Sequence, residues 1–301
     1  LTTLFPSPPL VRSPHYADQI GHGHTQPARG AGWGEFPEEL LPGVREFLAT
    51  LGIEKPFAHQ DEAIRTALAG EDVLLTTGTA SGKSLCYQLP GLVRLAEGKG
   101  PTVVVSPLIA LMKDQVDGLV ERGIKAAALN SHLAAADQEE LLTAWGRGEV
   151  EILYVAPERL RSGRFRAALQ LCNPGLVAID EAHCISHWGH DFRPEYRRLA
   201  ELRDRFPHMS MHAFTATATP RVRDAIVTQL RLEDPVVMVG RFDRPNLVYR
   251  MVPRTDVCSQ VLDVIKRHPR EAVIVYCITR KETETLAALL VGRGIQAAAY
   301  H

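Results

Sequence analysis

The chain has 301 residues, of which 45% are hydrophobic and 23% charged, and its formal net charge is −1. That is the balance of a globular protein, with enough length for one large α/β domain or two smaller ones. No apolar run reaches the ~18 residues of a membrane span, and the near-zero charge leaves any nucleic-acid surface to a local patch.

The sequence opens at Leu1 without the basic and apolar regions of a signal peptide. An opening residue other than Met suggests a fragment. The cysteines, Cys86, Cys172, Cys184, Cys258 and Cys277, are scattered and form no C-x-x-C pair. This gives no zinc site and fits a reducing cytoplasm better than a disulfide scaffold.

Residues 1–34 are rich in Pro, Gly and His and are expected to form an extended or poorly ordered arm. Gly21-His22-Gly23-His24 holds two potential metal ligands, but no further ligand cluster accompanies them, so a solvated loop is the favoured reading. From Glu38 the spacing of Leu40, Val44, Phe47, Leu48 and Leu51 predicts a helix, and another is predicted over Ala58–Ala69. Asp72–Thr76 is a short apolar strand ending in a glycine-rich turn, and a helix is expected from Lys83. Apolar runs recur at Thr102–Ser106, Ile152–Val155, Leu176–Ile179 and Met211–Thr215, with helical stretches between them. Buried strands alternating with helices predict a mostly parallel sheet, and this first lobe is placed at residues 35–238.

Val239–Asn246 reads as a linker, and a second α/β pattern fills residues 239–301. Helices are predicted at Val261–Lys266 and Lys281–Leu290, and strands at Ala272–Tyr276 and Gln296–Tyr300. Two strands and two helices bury too little for a full core, so this is expected to be the beginning of a lobe.

Thr77-Gly78-Thr79-Ala80-Ser81-Gly82-Lys83-Ser84 lies between a strand and a helix, the setting of a phosphate-binding loop. Small residues let backbone N–H groups close around phosphate oxygens at a helix N-terminus. Lys83 would reach the β and γ phosphates and Ser84 would ligate Mg²⁺. Thr77 stands where the strict pattern has Gly. A chance Gly-Lys-Ser is the alternative; the strand before it and the acidic pair downstream weigh against that.

The buried strand Leu176–Ile179 delivers Asp180 and Glu181 at its carboxyl end, the edge where open α/β sheets bind ligands. Asp180 would hold Mg²⁺, and Glu181 would orient and deprotonate an attacking water. A helix N-cap would also favour such acids. That reading leaves the upstream phosphate loop without its partner.

These motifs resemble superfamily 2 helicases, and more narrowly the RecQ family of DNA helicases, over roughly residues 53–301. Ser106–Val116 is similar to the family's motif Ia, Tyr154–Leu160 to motif Ib, Phe214–Thr219 to motif III, and Tyr276-Cys277 with Arg280 to the start of motif IV. The most specific piece is Asp180–Tyr196, DEAHCISHWGHDFRPEY, which resembles the RecQ DEAH box fused to its aromatic-rich loop. The front segment Gly52–Ser84 is closer to YprA-like helicases; RecQ usually has Pro-Thr-Gly-Gly-Gly-Lys-Ser at its phosphate loop.

The resemblance implies two RecA-like lobes, the first complete and the second only begun, and an ATP-dependent DNA helicase moving 3′ to 5′ with ATP and Mg²⁺. Motifs V and VI, with an arginine finger, would then follow His301. Gln60 resembles the motif 0 glutamine that reads adenine, an amide able to pair with the adenine amino group and N7. His183 would join the DEAH box to the aromatic loop, and Thr215 and Thr217 would link hydrolysis to strand movement. Trp188 and Phe192 offer π-faces to bases and Arg193 a charge to phosphate. An ordinary buried aromatic pair is the plain alternative. A DEAH-type RNA helicase and an ATP- and DNA-binding module without useful turnover are the competing functions.

Overall fold

The structure is a computed structural model, and it describes residues 32–37, 40, 42–189, 191–240 and 250–301. Residues 1–31 of the expected arm 1–34, with His22 and His24, lie outside the described residues, as does most of the expected linker, while Gly34 N–H at the arm's end donates to Pro56 O at 2.9 Å. The chain divides into two compact units, one ending at Arg244 and one running from Pro245 to His301.

The first unit is built on seven parallel strands: β1 (Val73–Thr76), β2 (Thr102–Val105), β3 (Ala126–Leu129), β4 (Ile152–Val155), β5 (Leu176–Ile179), β6 (Ser210–Thr215) and β7 (Val236–Val239). Their order across the sheet is β3-β4-β2-β5-β6-β1-β7. The five expected strands are all present, and β3 and β7 are added at the two edges. β7 takes Val239 from the expected linker, and Gly240 N–H still donates to Thr76 O at 2.7 Å.

Alternate side chains of each central strand serve opposite faces, so the strands read as continuous apolar runs. Val103, Val105, Val177 and Ile179 pack with Trp145 and Phe165 on one side. Val104, Leu176, Ala178 and Phe214 pack under the helices Pro42–Thr50, Ala58–Ala69 and Leu85–Ala96 on the other. A parallel sheet with helices on both faces is the layering of a RecA-like lobe.

Helix ends follow local chemistry. Gly70 terminates Ala58–Ala69 at φ 86°, a left-handed conformation that glycine adopts without penalty. Thr219 caps Pro220–Leu230 by accepting from Val222 N–H, with Pro220 at the first turn.

In the second unit the helices Val257–Arg267 and Arg280–Gly292 meet through Leu262, Leu286 and Leu290. Thr279 and Glu282 form a reciprocal capping box at the second helix. The strands expected at Ala272–Tyr276 and Gln296–Tyr300 are not formed: both segments lack ladder partners among the described residues. The period-two pattern survives in part, because Val275, Cys277, Ile295 and Ala297 lie against the helix pair. Alternation sets which side chains turn inward, but a strand also needs a neighbour's N–H and C=O groups.

Candidate functional site

All seven strands run the same way, so their carboxyl ends share one edge. β6 lies between β5 and β1, and that order decides which segments meet at the edge. The phosphate loop leaves β1, Asp180 and Glu181 leave β5, and Thr215 ends β6 between them. Backbone bonds fix these ends: Thr77 N–H donates to Thr215 O at 3.2 Å, joining β1 to β6, and Asp180 N–H donates to Val105 O at 2.8 Å, joining β5 to β2.

The loop Thr77–Ser84 curls over the start of the helix Leu85–Ala96, two residues later than the expected start at Lys83. Gly82 sits at φ 75°, where a Cβ would come within 2.4 Å of Gln60 Nε2. Ala80 holds φ 58°, a left-handed conformation that costs a non-glycine roughly 1–2 kcal/mol. Such strain persists where surrounding structure enforces it, often at ligand clamps. Lys83 Nζ donates to Thr77 O at 3.1 Å and Gly78 O at 3.0 Å. Burial lowers the Lys83 pKa, while Glu181 and Asp180 raise it, which places both carboxylates within electrostatic reach of the ammonium. Ser81 Oγ is buried without a hydrogen-bond partner.

Gln60 is bonded within the protein on both sides of its amide. It is 4% exposed; its Oε1 accepts from Phe57 N–H at 2.8 Å and its Nε2 donates to Gly82 O at 3.1 Å. The amide expected to read a base here fastens the helix Ala58–Ala69 to the phosphate loop. His59 reinforces this tie, with Nε2 lying 3.0 Å from Ser81 O. Its pKa is lowered chiefly by burial.

Asp180 has its pKa raised to about 6, first by burial and then by the Glu181 charge, with Lys83 and His183 pulling it down. Glu181 takes φ 48°, the second non-glycine outlier of the site. The next turn, Ala182–Ile185, is 3₁₀ and turns His183 inward. His183 Nδ1 lies 3.2 Å from Glu181 Oε2 and 2.9 Å from Thr215 Oγ1. Thr215 Oγ1 in turn accepts from Thr217 N–H at 3.3 Å. One buried imidazole therefore touches both the acid at the end of β5 and the hydroxyl at the end of β6.

The aromatic loop is not a buried pair. Trp188 is 62% exposed, with its N–H donating to Ser186 Oγ at 3.2 Å. Phe192 packs on His187, ring centroids 3.8 Å apart, beneath the Arg197 guanidinium at 5.1 Å. Arg193, expected to offer its charge to phosphate, pairs with Asp191 and donates to Pro107 O at 3.0 Å, tying the loop to the turn after β2. His190 lies outside the described residues.

Sequence reasoning missed several supporting groups. Tyr196, fully buried at the end of the same loop, donates its hydroxyl to Asp180 O at 3.0 Å. Its place within DEAHCISHWGHDFRPEY was the available signal. Gln88 donates to Tyr154 Oη at 3.0 Å and Gln115 Oε1 at 3.1 Å, joining the phosphate-loop helix to β4 and to the segment after β2. Nothing in the sequence marked Gln88. Among the described residues, no group of three or more His, Cys, Asp or Glu could hold a metal ion, and no helix is long and apolar enough to cross a membrane.

Compared with known families, residues 57–226 match DEAD/DEAH box helicase. The chain belongs to this helicase family. Among individual helicases it is 42% identical over 253 residues to "ATP-dependent DNA helicase RecQ" of Pasteurella multocida, covering 84% of this chain and 39% of that one. It is 43% identical over 263 residues to "ATP-dependent DNA helicase Q-like 2" of Arabidopsis thaliana, covering 83% and 37%. The chain thus spans about two fifths of the length of these relatives. Among solved structures it resembles DUF1998 helicase MrfA bound to DNA and AMPPNP, with TM-score 0.68 and 20% identity over 86% of this chain and 39% of that one, a likeness of fold.

Proposed function

We propose that this chain is the nucleotide-binding lobe of a RecQ-type, ATP-dependent DNA helicase that translocates 3′ to 5′. The observation that carries this reading is the contact of His183 with both Glu181 and Thr215. It joins a carboxylate suited to activating water with the segment that leaves β6.

In this reading Lys83 leaves Thr77 O and Gly78 O for the β and γ phosphates of ATP, within the cradle of Thr79, Ala80, Ser81 and Gly82. The unpartnered Ser81 hydroxyl and the small side chains of that loop suit a phosphate. Ser84 and Asp180 supply the hard oxygen donors that Mg²⁺ favours, and the burial that raises the Asp180 pKa makes a nearby cation favourable. Bound there, the ion would neutralise charge developing on the phosphates. Glu181 orients the attacking water and takes its proton. Gln60 reads the adenine edge by exchanging Gly82 O for it. Trp188, Phe192 and Arg193 form the DNA-sensing loop, and Thr215 and Thr217 relay its state. Five free cysteines accord with a reducing compartment, the cytoplasm or nucleoid.

The substrate is tested on the full-length protein by ATPase assays with competing single-stranded DNA and RNA. Stronger stimulation by DNA is expected. Preferential stimulation by RNA would replace this reading with a DEAH-type RNA helicase.

A further inference from the structure

The guanidinium of Arg221 lies over the Trp188 ring with Cζ 3.4 Å from the ring centroid. At that distance the guanidinium is in direct contact with the π-face. Both side chains are solvent-exposed, so burial did not force the contact.

The position of Arg221 is itself unusual. It occupies the second place of the helix Pro220–Leu230, whose first turn carries no acidic residue. A helix N-terminus disfavours a cation there. Among the described residues Arg221 makes no ion pair, and its guanidinium meets the Trp188 face instead. Helix stability therefore does not account for the residue, whereas the stacking does.

The backbone around Trp188 is also fixed. Gly189 N–H donates to Ser186 O at 3.0 Å. A Cβ on Gly189 would come within 2.4 Å of the His183 carbonyl oxygen. The tryptophan turn thus rests directly on the backbone of the histidine that touches Glu181 and Thr215. Thr215 leads through Thr217 to Thr219, the cap of the helix that carries Arg221. The contact of Arg221 with Trp188 closes this path into a ring.

We propose that Arg221 is a positioning residue that holds Trp188 as a preformed stacking platform, one face against the guanidinium and the other offered to a base of single-stranded DNA. This rests on the DNA-helicase reading above. Its distinctive claim is that Arg221 acts through Trp188 rather than on phosphate.

The test uses the full-length protein and a fluorescein-labelled oligo-dT strand, with binding followed by anisotropy across a salt series. Trp188→Ala should weaken binding roughly tenfold, the loss of one base–aromatic stack. Arg221→Ala should weaken it about threefold, with no further loss when added to Trp188→Ala. The dependence of log K on log salt should keep its slope, because no phosphate contact is removed. Arg221→Lys should recover only part of the loss, since an ammonium cannot lie flat on the ring. Without DNA, Arg221→Ala should make Trp188 more open to acrylamide quenching, with Trp188→Phe supplying the background of all the other tryptophans, Trp33 and Trp145 among them.

Losses that add in the double variant, a shallower salt slope, or full recovery by lysine would make Arg221 a phosphate contact and overturn the proposal. Tighter binding by Arg221→Ala would show that Arg221 occupies the base's place, and would overturn it too. Unchanged binding and quenching in Arg221→Ala, with DNA binding intact in the parent, would refute the platform alone. A parent protein that does not bind DNA would refute the helicase reading, and the platform with it.

Discussion

His212 gives the fold a built-in sensitivity to acid. It stands in the middle of β6, paired in register with Val73 of β1 and Ala178 of β5, and is fully buried. Neither ring nitrogen has a hydrogen-bond partner. Burial pushes its pKa down to about 3; Asp72 pulls the other way, and Arg94 and Arg203 push further down. Between pH 6.5 and about 3 the unfolded chain binds a proton at this residue that the folded chain refuses. Stability is therefore retained above pH 6.5 and lost as pH falls through that window. The slope approaches ~1.4 kcal/mol per pH unit, so this residue alone should cost about 2 kcal/mol between pH 7 and pH 5. His212→Leu removes the titrating group and the two unpartnered nitrogens. Urea unfolding of parent and variant at both pH values, tracked by far-UV circular dichroism, isolates the term. The loss on acidification should be about 2 kcal/mol smaller in the variant, whatever other groups contribute. Equal losses in the two proteins would refute the reasoning.

At the candidate site, Lys83→Ala should abolish detectable nucleotide binding in a fluorescent-nucleotide titration and hydrolysis with it. Glu181→Gln should keep nucleotide binding while lowering turnover by orders of magnitude; unchanged turnover would exclude it as the base. Ala80→Gly should raise stability by roughly 1 kcal/mol in urea unfolding, because glycine takes the left-handed conformation of Ala80 without the Cβ clash. Arg203→Met should cost about 3–5 kcal/mol by the same measurement, since it leaves the Asp72 carboxylate buried without its cation. Asp72 would then keep only the N–H groups of Met211 and Glu233; a loss below about 1 kcal/mol would mean those two suffice.

The sequence made the central sheet legible because β1, β2, β4 and β5 are wholly buried and apolar almost throughout, and β6, also buried, keeps Met211, Ala213 and Phe214 among polar residues. The edges were not legible. β3 is Ala-Ala-Ala-Leu, without the branched side chains that mark strands, and β7 comes after Pro235 at the limit of a helix-rich stretch. Site residues could be proposed wherever chemistry fixes the residue type, as at Lys83, Asp180 and Glu181. Their bonding could not be. Gln60 capping its own helix and Arg193 held by Asp191 and Pro107 O are choices among partners brought close by the fold. The second unit shows the converse. Its inward-facing residues obey the pattern, while strand pairing depends on a neighbour that periodicity does not supply.

The strand order explains why the histidine can serve as a junction. Because β6 separates β1 from β5, a side chain at its end touches the segments leaving both neighbours. Thr215 meets the phosphate loop through its backbone and the DEAH box through its hydroxyl. The His183–Thr215 contact is a single hydrogen bond, worth about 1 kcal/mol net. The Trp188 stack is of similar size. A ligand shifts such an arrangement only by the difference in its affinity for the two states. In the proposed reading a base stacked on Trp188 would provide a difference of that order, and a γ-phosphate at Lys83 would act from the other side of the ring. Strong links would have locked the ring in one state. Weak links, pinned by the tight Gly189–His183 packing and the Tyr196–Asp180 bond, would let either proposed ligand be felt at the other's site.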